Sequence, residues 1–293
     1  MKVFREISNN WNKEQVELLR QYGIDVEVGC NWFHIYDVKM YLKLQPLFRK
    51  WEVLDTHGTS FSKKEILSAE YCVIERCKTC GYPMPDDDQS YLYNTYETKC
   101  MCCRCGIGAV QKDDFRVNKI PKYPIWELGW IYDELFVRND IYEKIFKPIG
   151  VESRPLKMYK NDSVIESYVQ LVIPTIDESL DLSNYESLTC NECGMTKYDP
   201  MTYGYYPLQE HPLSYIYKSK EFFGDGFSAS RKIFISAAIC EKLIENRVFP
   251  YHYFVPCSRT EDLCLKNKPL QDWPKPDKSM GYNTSIYNIA ISD

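Results

Sequence analysis

The spacing of apolar residues predicts helices and strands near the start of the chain. Between residues 12 and 22, Val16, Leu19 and Tyr22 recur at helical spacing, which predicts an amphipathic helix with one buried face. The stretch from Asp25 to Val38 alternates between apolar and polar residues and predicts one or two strands. This part of the chain is therefore expected to combine a helix with β-structure.

Further along, the same patterns continue. Ser62-Lys63-Lys64-Glu65 fits a capping box, in which the serine hydroxyl and the glutamate carboxylate bind free amides of the first helical turn. Tyr71–Ile74 and Val164–Pro174 are apolar, β-prone runs that predict strands. The mixture predicts an α+β fold with antiparallel or mixed sheets and a few amphipathic helices.

Two segments of the second half align without a gap. Residues 135–145 match residues 233–243: in both, an apolar strand ends at a small or polar residue and a short helix begins with the pattern Ile-x-Glu-Lys-[Ile/Leu]. Each segment then leads into another β-prone piece. We interpret this as a duplicated strand–helix–strand unit, which predicts that Ile141 and Ile239 are both buried on helices packed against one sheet.

Three copies of C-x-x-C-G, called knuckles below, carry the candidate chemistry: Cys77–Gly81, Cys102–Gly106 and Cys190–Gly194. Two cysteines at this spacing direct both thiolates toward one metal ion, and the glycine allows a turn with positive φ. Two knuckles together complete a tetrahedral four-sulfur site, which suits zinc. Four sulfur ligands leave no position open for a water molecule, so the predicted role is structural rather than catalytic.

The pairing of the knuckles has several solutions. The local one is a zinc ribbon built from the first two knuckles, although Cys80 and Cys102 are separated by 21 residues, slightly more than the usual spacing of about 15–20. Residues 91–98 would form its hairpin. The third knuckle would close a site with one of the earlier knuckles, or with Cys100 and Cys103 around a second zinc ion. The predicted ligands of one or two structural zinc ions are Cys77, Cys80, Cys102, Cys105, Cys190 and Cys193.

The length of 293 residues predicts one large domain or two closely joined ones. Aromatic residues make up 15% of the chain, and 24 of them are tyrosines, which suit strands and interfaces. The predicted segments are an N-terminal α/β segment (1–70), a zinc-ribbon-like module (71–120), an α+β domain with the repeats and the third knuckle (121–257), and a peripheral tail (258–293).

Charge and cysteine content restrict the function classes. A net charge of −5 argues against general binding to a phosphate backbone, which requires a basic face. The N-terminus does not resemble a signal peptide and no apolar run is long enough to span a bilayer, so a cytoplasmic location is expected. In that reducing compartment, 13 cysteines are expected to be metal ligands or buried thiols rather than disulfides. None of the common catalytic motifs is present in the sequence, so we do not expect an enzyme.

The order of motifs resembles a known family. A C-x-x-C in the first half is followed by the knuckle Cys190–Gly194, an aromatic-rich stretch and the turn Phe222–Gly226. Arg231–Ser236 then leads into the helix 239–244, and Phe254-Val255-Pro256 closes the pattern. This arrangement resembles the double-CxxCG family of bacterial immunity proteins against polymorphic toxins, over residues 70–257.

The resemblance implies a cytoplasmic, non-enzymatic protein that protects its cell by binding a cognate toxin. Two features depart from the family pattern: this chain has three knuckles instead of two, and the spacer between the first and last carries an inserted hairpin. The first hypothesis is thus a zinc-stabilised immunity protein whose tyrosine-rich, acidic surface binds a basic toxin. The alternative is a zinc-ribbon protein that stacks nucleic-acid bases on the hairpin at Tyr91–Tyr96. A third hypothesis, a metalloenzyme, requires a metal-bound water.

Overall fold

The chain forms two compact units. The computed structural model describes residues 1–81, 94–183, 185–199, 203–212, 214–224 and 229–274. Within these, the first unit comprises residues 1–62, 203–205 and 261–274, and the second comprises residues 63–199 and 206–260. The predicted segment 71–120 belongs to the second unit, and the described part of the predicted tail beyond residue 260 belongs to the first.

The first unit is a three-stranded antiparallel sheet with two helices from its N-terminal part, and a short helix over Thr260–Lys266 begins its C-terminal segment. Its elements are β1 (Lys2–Trp11), α1 (Lys13–Gln21), β2 (Gly29–Ile35), α2 (Val38–Lys50) and β3 (Leu54–Ser60), and the strand order is β2-β1-β3. The helix predicted over 12–22 and a strand within 25–38 are both present. Asn12 and Gln15 form a reciprocal capping box at the start of α1, which explains where that helix begins.

α1 and α2 cover the same face of this sheet. Inward residues of all three strands alternate with outward ones, and the apolar inward residues of β1 and β2 pack with Val16 and Leu19 of α1 and with Leu44 and Phe48 of α2 in one core. Trp273 from the C-terminal segment completes this core. On the other face of the sheet, every residue except Gly58 is partly or largely exposed.

A buried ion pair lies inside this core. Arg5 and Asp55 are both fully buried, and their charged groups are 3.5 Å apart. The Tyr41 hydroxyl donates to Asp55 Oδ2 at 2.6 Å, and the Arg5 guanidinium lies 4.9 Å from the centre of the Tyr41 ring. Arg5 also donates to the backbone carbonyl of Pro274, which ties the C-terminal segment to this unit.

His57, next to this pair, gives the first testable prediction. Burial and the nearby charge of Arg5 lower the pKa of His57 to about 3. Below pH 6.5 the unfolded chain therefore binds a proton that the folded chain does not, so stability falls as the pH falls. The free energy of unfolding should drop by roughly 1.4 kcal/mol per pH unit from pH 6.5 toward pH 3 because of this residue. The free energy of unfolding, measured with urea at several pH values in this range, should fall less steeply with falling pH for His57→Phe than for wild type. Replacing the exposed His252 should leave the wild-type pH dependence unchanged. Equal slopes for wild type and His57→Phe would contradict the prediction.

The second unit contains two large sheets. The first part contributes α3 (Lys63–Leu67), β4 (Tyr71–Ile74), β5 (Thr79–Cys80), β6 (Tyr96–Glu97), β7 (Val110–Gln111), β8 (Arg116–Val117), β9 (Ile125–Leu128), β10 (Ile131–Arg138), α4 (Asn139–Ile141, continued by a π-helical and a 3-10 turn to Ile149) and β11 (Glu152–Met158). The second part contributes β12 (Val164–Val172), β13 (Ser187–Thr189), β14 (Thr196–Tyr198), β15 (Tyr206–Leu208), β16 (Ile216–Phe223), β17 (Ser230–Ser236), α5 (Ala237–Glu245) and β18 (Phe254–Arg259).

The two sheets have the same pairing scheme. The first has the order β5-β9-β10-β12-β11-β8, and the second has the order β13-β14-β16-β17-β4-β18-β15. If β13 is set aside, the two outermost pairs of each sheet are parallel and the three inner pairs are antiparallel. The duplication predicted from two short segments therefore extends over six strands and a helix in each copy.

Each copy gives its first strand to the sheet of the other. β4 precedes the first knuckle but pairs with β17 and β18 of the second copy. β12 precedes the third knuckle but pairs with β10 and β11 of the first copy. The copies, residues 63–158 and 164–259, are thus interlocked by exchange of an inner strand.

Matching aromatic clusters support this equivalence. In the first sheet, Trp126 stacks on Phe136 with ring centroids 4.5 Å apart, and Tyr168 of β12 lies against Trp126. At the same register in the second sheet, Tyr217 stacks on Phe234 at 5.1 Å, and Tyr71 of β4 lies against Tyr217. Pro155 and Pro256 also occupy equivalent registers.

The strand–helix–strand prediction is confirmed, with one correction. Ile141 and Ile239 are both buried, at 6% and 1% exposure. Their helices follow strands of different sheets, so they do not pack on one sheet as predicted. An exposed hydrogen bond from Lys144 Nζ to Asn246 Oδ1 connects the ends of the two helical segments, and a buried ion pair between Glu134 and Lys218 links β10 of one sheet to β16 of the other.

No helix in the described part of the chain is both long and apolar enough to cross a membrane.

Candidate metal centre

The second and third knuckles have the same backbone geometry. In the second, the amide of Gly106 donates to the Cys102 carbonyl and the amide of Cys102 donates to the Ile107 carbonyl, both at 2.9 Å. In the third, Gly194 donates to Cys190 and Cys190 to the Met195 carbonyl, again at 2.9 Å. The φ angles of the two glycines are 73° and 72°. Each loop thus makes the tight turn that the C-x-x-C-G sequence predicts.

These two knuckles face each other. The sulfur atoms of Cys102 and Cys190 are 3.8 Å apart, those of Cys105 and Cys193 are 3.5 Å apart, and all four lie within 4.8 Å of one another. Sulfur atoms bound about 2.3 Å from a tetrahedral zinc ion would be about 3.8 Å apart. The four thiols therefore lie close enough to hold a metal ion, and their chemistry is that of a closed sulfur site.

The centre is apolar on one side and charged on the other. Cys105 and Cys190 are buried in a small cluster with Ile107 and Phe222. On the exposed side, Glu192 lies 3.8 Å from Arg104 and accepts a hydrogen bond from the Cys103 thiol at 3.5 Å. The apolar side limits access of water to two ligands, and the ion pair joins the two knuckles on the outside.

The pKa values of the thiols are shifted in opposite directions by their surroundings. Hydrogen bonds from the amides of Cys193 and Glu192 lower the pKa of Cys190 to about 7, which favours its thiolate. Burial raises the pKa of Cys105 to about 12. A metal ion binds thiolates, so loading the centre must release protons, and the buried Cys105 becomes a favourable thiolate only beside a cation.

The first knuckle lies elsewhere. Thr79–Cys80 is extended and pairs with Glu127–Leu128, and Gly81 lacks the positive φ of the other two glycines. Burial raises the pKa of the Cys77 thiol, and burial also raises the pKa of the neighbouring Glu127 to about 7. Among the described residues, no third cysteine, histidine or carboxylate lies with Cys77 and Cys80 at metal-ligand distance, so a metal at this knuckle stays a prediction.

The duplication explains why the first knuckle has no partner knuckle among the described residues. Cys77–Cys80 follows the exchanged strand β4 and runs into β5, and Cys190–Cys193 has the corresponding place in chain order, after β12 and before β14. The partner knuckle, Cys102–Cys105, is in the segment between β5 and β8. The equivalent segment of the second copy, residues 199–205, contains no cysteine, so the symmetric second site lacks half of its ligands.

The pairing therefore follows one of the alternatives left open by the sequence. The four thiols that converge belong to the second and third knuckles, not to the first two as the local ribbon predicts. The excess length of the spacer between Cys80 and Cys102 was a signal against a simple ribbon. Cys100 and Cys103, the alternative ligands, are both exposed and do not belong to the four-sulfur group. Of the hairpin predicted at 91–98, residues 91–93 lie outside the described residues, and Tyr96–Glu97 pairs with Val110–Gln111.

A second group with metal-binding atoms has a simpler explanation. Glu178, Glu210 and His211 lie within 4.8 Å of one another. The Glu178 carboxylate accepts hydrogen bonds from the backbone amides of Glu210 and His211, at 3.0 and 3.3 Å. These bonds close a loop and account for the position of the carboxylate, so we assign no metal to this group.

Comparison with known proteins identifies no relative of this chain. No family model, curated protein or solved structure matches the chain. Function must therefore be argued from the site and the fold themselves.

Proposed function

We propose that Cys102, Cys105, Cys190 and Cys193 hold one structural zinc ion. Two C-x-x-C-G knuckles with four sulfur atoms at tetrahedral spacing form the donor set that zinc prefers. All four positions around the metal are occupied by protein ligands, so no water or substrate position remains. The ion's contribution is to join the segment between β5 and β8 of one copy to the start of the other copy.

We further propose that the protein is a zinc-stabilised immunity protein, which binds a cognate bacterial toxin and blocks it without catalysis. The observation that carries this proposal is the convergence of four thiols within 4.8 Å of one another, because four sulfur ligands suit a structural metal rather than a catalytic one. The order of knuckles, aromatic stretch and strand–helix–strand motif supports the same function through its resemblance to double-CxxCG immunity proteins. The acidic net charge of −5 suits a basic toxin domain.

The proposal predicts protection by a stoichiometric complex. An immunity gene is expected beside the gene of its toxin, so the product of the adjacent gene is the test substrate. Expressed alone in a susceptible host, that product should stop growth, and co-expression of this chain should restore it. The two proteins should then co-purify at equal stoichiometry, with one zinc ion per copy of this chain.

Two variants make the test specific. Cys190→Ser should protect poorly because it lacks a metal ligand, whereas Cys103→Ser, which alters an exposed thiol in the neighbouring knuckle, should protect like wild type. If wild type does not protect and forms no complex with the adjacent product, the proposed function is wrong. Nucleic acid co-purifying in place of a protein would favour the alternative function.

A further inference from the structure

The open face of the sheet in the first unit carries a row of aromatic side chains. Phe4 of β1 and Trp32 and His34 of β2 point away from the core that the two helices cover, and Tyr36 follows directly after β2. Trp32 and Tyr36 are 56% and 55% exposed, high values for such large rings. Exposed aromatic groups gathered on one face are characteristic of interaction surfaces rather than of ordinary protein surface.

The four rings form a continuous contact series. The ring centroids of Trp32 and His34 are 4.9 Å apart, those of His34 and Phe4 are 4.2 Å apart, and those of Phe4 and Tyr36 are 5.6 Å apart. The Tyr36 hydroxyl also lies 3.4 Å from His34 Nδ1. We call Phe4, Trp32, His34 and Tyr36 the aromatic row.

The sheet holds this row in place. Phe4 pairs with Gly58 of β3, and a Cβ atom at Gly58 would lie 2.5 Å from the Phe4 ring, so the tip of the ring occupies the space that a side chain at Gly58 would fill. Glu6 pairs with His34 across the strands, and its carboxylate lies 3.0 Å from His34 Nε2. Side chains already fixed in the free protein lose little conformational entropy on binding, which favours affinity.

The charges around the row select a cationic partner. Among the outward positions of β1, β2 and β3 in the described chain, Lys2 is the only lysine or arginine. Next to Tyr36 a cleft of about 670 Å³ opens, and its lining includes Asp37 and Asp272. Together with Glu6, these carboxylates outnumber the ammonium group of Lys2. Aromatic faces bordered by carboxylates bind guanidinium and ammonium groups through cation–π contacts and ion pairs.

We propose that the aromatic row and the adjoining cleft form the docking surface for a basic protein partner, with arginine or lysine side chains placed over Trp32 and Tyr36. This inference rests on the proposed function and names the surface and the partner chemistry that the proposed function leaves open. Single-stranded nucleic acid also stacks on aromatic rows, but it requires cationic groups along its backbone. The surroundings of this row are acidic, so the partner class is protein.

The test is a titration with two probes. The first probe is a catalytically inactive form of the adjacent gene's product, and the second is a short arginine-rich peptide at physiological ionic strength. Trp32→Ala/Tyr36→Ala removes two outward side chains. The matched control, Tyr123→Ala/Tyr215→Ala, removes two rings from the second unit that are 44% and 53% exposed. For the first probe, the row variant should weaken binding about 30-fold or more, as expected for aromatic hot spots, and the control should bind like wild type.

Each outcome has a defined consequence. If the adjacent product binds wild type and the row variant equally, the docking surface is wrong and the proposed function stands. If it does not bind wild type, the proposed function is wrong, and the peptide decides the surface: weaker binding by the row variant than by the control supports it, and equal binding overturns it. A thymidine oligonucleotide that binds wild type but not the row variant, while the peptide does not distinguish them, would overturn the assignment of a protein partner.

Discussion

Cys190→Ser is expected to abolish stoichiometric metal binding and to lower the free energy of unfolding of the second unit by several kcal/mol. Cys190 is buried between the two copies, its sulfur atom is 3.8 Å from that of Cys102, and serine is a poor zinc ligand. Structural zinc contributes roughly 10–16 kcal/mol of apparent binding free energy in small metal-dependent domains, so losing even part of it is large against a total stability of about 5–15 kcal/mol. Metal analysis and denaturant unfolding of the purified protein measure both effects.

Cys103→Ser is the matched control for this prediction. It changes an exposed thiol of the neighbouring knuckle that is outside the four-sulfur group, so metal content and stability should stay at wild-type values. If the two variants behave alike, the assignment of the ligands is wrong. Cys80→Ser tests the first knuckle. If this variant holds one metal ion fewer per chain than wild type, the first knuckle also binds an ion.

Asp55→Ala is expected to destabilise the first unit by about 3–5 kcal/mol, because it leaves the fully buried guanidinium of Arg5 without its carboxylate. It also removes the acceptor of the Tyr41 hydroxyl. The cost comes mainly from the stranded charge and not from the net value of the ion pair. Replacing both partners with apolar residues, as in Arg5→Met/Asp55→Leu, should therefore recover most of the lost stability.

Asp25→Ala provides the comparison at the surface of the same unit. Asp25 pairs with Arg20 at 3.8 Å but is 94% exposed, so its removal should change the free energy of unfolding by less than about 0.5 kcal/mol. Equal effects of Asp55→Ala and Asp25→Ala in urea unfolding would contradict the role assigned to the buried pair. A double variant no more stable than Asp55→Ala would show that the pair itself is required.

The elements that sequence patterns predicted are those whose residues follow a simple period. The helix from Lys13, the strand from Val164 and the two strand–helix–strand segments all have regular apolar spacing. β1 was not predicted, because the buried Arg5 interrupts the alternation of apolar and polar residues along this strand. Its charge makes an inward position read as an outward one. α2 was not predicted either, and Pro46 in its interior is a residue that normally signals a helix end.

The metal centre was predictable in its ligand type but not in its pairing. The knuckle sequence specifies a turn that presents two thiols, and this is a local property. Which two knuckles meet depends on the exchange of β4 and β12 between the sheets, a relation between residues far apart in the chain. The aromatic row was visible only as loose alternation over 25–38. Its partner Phe4 and the glycine beneath that ring come from other strands.

The exchanged strand also has a consequence for synthesis on the ribosome. β4 is made early, yet its neighbours β17 and β18 are completed only at residues 236 and 259. At a synthesis rate of roughly 5–20 residues per second, β18 is completed on the order of ten seconds or more after β4. During this time Cys72 and Val73, which are fully buried in the folded protein, lack their native neighbours. Nascent chains are thus expected to depend on chaperones during this interval. Products of truncated messages ending before β18 should be cleared by proteolysis or aggregate, because the inner strand of one sheet is left incomplete.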